Sequence, residues 1–88
     1  MTTRTKILTT ADQAISVDRD EVYGPVRGNF ERIANAWRAL GFADVTPEEV
    51  ALMMIIVKAS RLTNTLSHED SWVDLAGYAA LGGEIATS

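Results

Sequence analysis

The segment T46-P-E-E-V50 runs straight into A51-L-M-M-I-I-V57, and together they constrain the fold more than any other part of the chain. Thr46 suits the cap of a helix, Pro47 suits the first helical position because its missing N–H is not needed there, and Glu49 three residues after Thr46 completes a capping box. This start overrules the strand preference of Ile55, Ile56 and Val57. From Val50 to Val57 almost every position is apolar, and a helix that is apolar all round has to be covered on all sides. In a chain of 88 residues the simplest cover is another copy, so the expectation is a homo-oligomer.

Three further helices are predicted around this one. Ile7, Leu8, Ala11, Ala14 and Ile15 recur at helical spacing and predict a helix over residues 6–20. After Gly24, Phe30, Ile33, Ala34, Trp37 and Leu40 form one stripe of a helix from about Pro25 to Leu40, with Arg27 and Glu31 placed to pair across one turn. Gly41 suits the position just past its end. Ser67 is the expected cap of a last helix from Glu69 to Leu81 or Glu84, in which Gly77, Ala79, Ala80, Gly82 and Gly83 permit close approach, while the glycines weaken the final turn and Ile85 to Ser88 fray. The predicted fold is all-α: one compact bundle of about four helices spanning residues 1–88, with an ordered core at about 6–84. Short connections favour antiparallel neighbours.

Composition removes several functions. No cysteine is present and His68 is the one histidine, which excludes disulfides, thiolate chemistry and a His-rich metal centre within one chain. Twelve acidic against eight basic residues, a formal charge of −4, disfavour a nucleic-acid partner. The longest apolar run is far short of the ~20 residues that span a bilayer, so no membrane role is expected. Walker A, dinucleotide-fold, HExxH and EF-hand motifs are lacking.

The candidate binding residues are polar groups set against apolar surroundings. Lys58, Arg61 and Asn64 follow one another at three-residue spacing along the capped helix, where the cations either pass core side chains into solvent or meet an anion. Asp70, Asp74 and Tyr78 recur every four residues on the last helix. A buried Asp74 needs a cation, hydrogen bonds or a metal, and Lys58 or Arg61 is the economical partner. In R19-D-E-V-Y-G-P25, Arg19 and Tyr23 stand one turn apart, with Asp20 and Glu21 able to neutralise cations. Trp72 is a further aromatic candidate, Trp37 reads as core, and His68 as a solvent-facing loop residue.

G24-P-V-R-G-N-F-E-R-I33 with Trp37, T46-P-E-E-V-A-L-M-M54 with K58-A-S-R-L62, and D70-S-W-V-D-L-A-G-Y-A-A-L81 together resemble a family of small proteins of tailed bacteriophages and prophages. The resemblance covers residues 19–84. It implies viral origin and action in the host cytoplasm, and carries no activity with it. A more distant likeness is to the MazG-type all-helical nucleotide pyrophosphohydrolases, with Asp74 in the place of a metal-binding aspartate. The sequence departs from that pattern at Ser71, where the pair calls for glutamate, and at Ala34 and Asn35, where Glu31 lacks its partner.

Three functions follow. In the first, a phage accessory protein binds a nucleotide or other phosphorylated small molecule between helices or subunits and sequesters a host signal, using Arg19, Tyr23, Lys58, Arg61, Asn64, Trp72 and Tyr78 and no cofactor. In the second, Asp70, Asp74 and Glu31 hold Mg²⁺ for hydrolysis of a nucleoside triphosphate. In the third, the protein binds a host protein or acts as a scaffold.

Overall fold

The Thr46 hydroxyl oxygen accepts a hydrogen bond from the Glu49 amide at 3.2 Å, and Glu49 Oε1 accepts one from the Thr46 amide at 3.0 Å. The capping box read from the sequence is formed, with Pro47 as the first helical residue. In the computed structural model the described residues are 2–16, 19, 23–42 and 44–87. They form four helices, and no strand occurs among them: α1 (Thr3–Ser16), α2 (Val26–Ala39), α3 (Pro47–Asn64) and α4 (Glu69–Thr87).

The longest contact is between α3 and α4. α1 lies on α4, and α2 lies on α3 and touches α4. Phe30 and Ala34 from α2, Val45 before α3, Val50 and Ala51 from α3, and Leu81 and Ile85 from α4 make the core. Phe30 and Val50 are the largest side chains sealed completely from solvent. Between α2 and α3 the chain turns on Gly41, whose φ of +105° lies in the region that favours glycine, and Arg38 donates from Nη2 to the Val45 carbonyl.

Several boundaries differ from the sequence reading. α1 begins at Thr3 rather than residue 6, because the Thr2 hydroxyl accepts from the Thr5 amide at 3.2 Å and so caps an earlier turn. Residues 17, 18 and 20, the end of the predicted first helix, lie outside the described residues. α4 starts at Glu69, which places His68 rather than Ser67 at its cap. The His68 Nδ1 lies 2.8 Å from the Ser71 hydroxyl, and its carbonyl accepts from the Ser71 amide.

The expected weak end of α4 is helical through Thr87. Ile85 is buried in the core and its carbonyl accepts a 2.8 Å bond from Arg27 Nη2, so burial outweighs the glycines. Arg27 is thus engaged with α4, in place of the expected pairing with Glu31.

α3 is covered unevenly by the rest of the chain. Val50, Ala51 and Leu62 are buried, while Leu52, Ile56 and Val57 are exposed. The chain covers only one side of this apolar rod.

Candidate functional site

A cavity of about 490 Å³ lies where the four helices converge. Ile15 of α1, Phe30 and Ile33 of α2, Val50 and Met54 of α3, and Val73, Gly77 and Leu81 of α4 supply apolar wall. Gly77 brings α1 close: a Cβ there would stand 3.3 Å from the Ile15 methyl. The polar lining is Arg19, Tyr23, Asn29, Asp74 and Tyr78. A largely apolar cleft with a few converging polar groups is the usual constitution of a small-molecule site.

Arg19 organises one side of it. Its Nη2 donates to Asn29 Oδ1 at 2.6 Å, and its guanidinium carbon lies 5.3 Å from the Phe30 ring centre and 5.6 Å from that of Tyr23. Both rings are within the distance at which a cation is attracted to an aromatic face. The Tyr78 ring sits 6.4 Å from that of Phe30, tilted by 41°. The result is a cation held among aromatic surfaces at the edge of an apolar volume. The pairing of Asn29 with a residue ten positions earlier has no local signal in the sequence.

Asp74 stands on the α4 side, and its Oδ2 is 3.0 Å from Lys58 Nζ. The Lys58 side chain is 14% exposed and that of Asp74 36%, so the pair straddles the boundary between interior and solvent. This is the internal pairing that the spacing of α3 and α4 suggested. It also means that Lys58, expected to meet phosphate, is engaged by a carboxylate and is not part of the cavity lining.

The remaining candidates disperse. Arg61 and Asn64 are exposed, Asn64 lying 3.5 Å from the Thr65 hydroxyl, and neither lines the cavity. Trp72 is exposed, with its indole N–H donating to the Leu66 carbonyl at 2.8 Å, which fastens the turn between α3 and α4. Glu31 and Asp70 are exposed and apart from the cavity lining. Among the described residues, no three acidic or histidine side chains converge in a way that could hold a metal ion. Asp20 and Glu21 lie outside the described residues. The structure therefore brings Arg19, Tyr23, Asp74 and Tyr78 together and leaves Lys58 behind Asp74.

A family described as a domain of unknown function, DUF6378, matches residues 6–86. The chain belongs to this family. It is also similar to the Gene 55 protein of Mycobacterium phage L5, at 45% identity over 76 residues, which are 85% of this chain and 49% of the phage protein. Against the Gene 55 protein of Mycobacterium phage D29 it is 37% identical over 73 residues, 83% of this chain and 48% of that one. This DUF6378 chain thus spans about half the length of the curated relatives it matches. No solved structure matches it. Both relatives are bacteriophage proteins, in agreement with the phage resemblance of the sequence. No helix among the described residues is long and apolar enough to cross a membrane.

Proposed function

We propose that this DUF6378 protein binds a nucleotide or a closely related phosphorylated small molecule in the cavity between its helices. The observation that carries the reading is Arg19, placed over Tyr23 and Phe30 at a cavity of about 490 Å³, within the range typical of ligand pockets. A guanidinium fork matches the oxygens of a phosphate, and the rings beside it match a flat heteroaromatic group. Asn29 and the Tyr78 hydroxyl add neutral hydrogen bonds, and the Asp74 carboxylate accepts from an amino or imino group of a base. Lys58 holds the Asp74 carboxylate in place through their 3.0 Å ion pair without touching the ligand.

This assignment moves the anion contact from Lys58 and Arg61 to Arg19. In an infected bacterium the protein acts in the host cytoplasm by withdrawing a signalling nucleotide from its receptors. Hydrolysis with Mg²⁺ remains the neighbouring activity that the same ligand class would allow, but Glu31 and Asp70 stand away from the cavity and lend it no support.

Isothermal titration calorimetry with a panel of ribonucleoside mono-, di- and triphosphates and their guanosine tetraphosphate-type derivatives tests the reading. Micromolar binding by at least one of them, lost in Arg19→Ala with the helical circular dichroism retained, is the expected result. Absence of binding across the panel by folded protein overturns it.

A further inference from the structure

A second apolar depression lies on the other flank of α3, lined by Trp37, Leu40, Phe42, Met53, Met54, Ile56 and Val57 and enclosing about 440 Å³. No charged side chain is among its lining residues. Beside it Leu40 is 77% exposed, Ile56 67% and Phe42 54%, and Leu52 stands exposed one turn before Ile56 on the same helix. The geometry points to a second copy of this chain as the occupant, joined through a two-fold interface centred on α3 and the end of α2.

Three features select a second copy. An isologous interface requires one patch to supply both the projection and the recess, since each surface meets itself. Here Leu40 and Ile56 project from the same patch that holds the groove, so each copy can seat its side chains in the other. Charge is the second feature. Two chains of net charge −4 repel over most of their surfaces, whereas the lining of this groove carries no charge to repel its own copy. Size is the third: exposed side chains of this kind each offer on the order of 100 Å², so Leu40, Phe42, Leu52, Ile56 and Val57 make a patch on the order of 500 Å², near the upper end for a monomer and enough for the centre of an interface of about 800 Å² per partner.

The flexible thioethers of Met53 and Met54 let the recess adapt to the incoming side chains. Met54 also lines the cavity described above, yet the pairing stands on the groove alone and does not depend on any ligand.

Sedimentation equilibrium of the 88-residue chain, run over a concentration series, provides the test. The wild type should fit a monomer–dimer equilibrium, and Ile56→Glu should raise the dissociation constant at least tenfold with unchanged helical circular dichroism. Leu8→Glu, an equally apolar and exposed position on α1, should leave the equilibrium where it was. A wild type that stays monomeric throughout, as it would if the groove served a foreign protein, overturns the proposal. So does a dimer that Ile56→Glu and Phe42→Glu both leave intact.

Discussion

Gly82 and Ala51 meet at a close approach of α3 and α4: a Cβ placed on Gly82 would stand 2.7 Å from the Cβ of Ala51. Neither partner can retreat, because the contact is between a helix backbone and a side chain that is a single methyl group. The close approach keeps Ala51 and Leu81 in the core and fixes the α4 wall of the cavity, which carries Val73, Asp74, Gly77 and Tyr78.

Gly82→Ala should therefore destabilise the fold by about 1 to 3 kcal/mol, the usual cost of overpacking. Gly83, next to it, has nothing within 4 Å of its virtual Cβ. Gly83→Ala should instead be stabilising, by up to about 1 kcal/mol, through helix propensity alone. Urea unfolding of the two variants separates them: opposite signs are expected, and equal effects would show that the helix spacing is not fixed at Gly82.

The capping box makes a second prediction. Thr46→Ala removes the hydroxyl that accepts the Glu49 amide and should cost about 1 kcal/mol. Thr46→Ser retains the oxygen and should retain most of the stability. Thermal unfolding of the three proteins measures this directly.

Lys58 and Asp74 form an ion pair that is only partly shielded, so its loss should cost less than that of a fully buried pair. Asp74→Asn leaves the more buried Lys58 without its counter-charge and should destabilise by about 1 to 3 kcal/mol. The Lys58→Met/Asp74→Asn double variant should recover part of that loss. A double-mutant cycle with no coupling energy would contradict the pair's role.

Ile85 ties the end of α4 to the core and is 3% exposed. Ile85→Ala should cost about 2 to 5 kcal/mol and should raise hydrogen exchange first in the last two turns of α4. A uniform change across all four helices would mean that this end is not a separate weak point.

Much of the fold was legible because it rests on local chemistry. Thr46, Pro47 and Glu49 announce a helix start within four residues, and the stripe of Phe30, Ile33, Ala34 and Trp37 has one helical period. The stable end of α4 was less legible, since Ile85 gains its burial and its Arg27 contact from a helix nearly sixty residues earlier. At the site, Asp74 and Lys58 could be paired from spacing on two helices, whereas the meeting of Arg19 with Asn29 depends on the path between α1 and α2. Arg61 shows the opposite failure: an attractive position in a one-dimensional pattern turns out to face solvent.

The central claim is that the interhelical cavity receives a phosphorylated ligand beside Arg19. Its most direct measurement is a ¹H–¹⁵N NMR titration with the nucleotide that binds most tightly, following every backbone amide. Shifts concentrated at Ile15, Arg19, Asn29, Phe30, Gly77 and Tyr78, saturating together and absent in Arg19→Ala, are predicted. Saturable shifts confined to Lys58, Arg61 and Asn64 on the exposed end of α3, with the cavity amides unmoved, would contradict it.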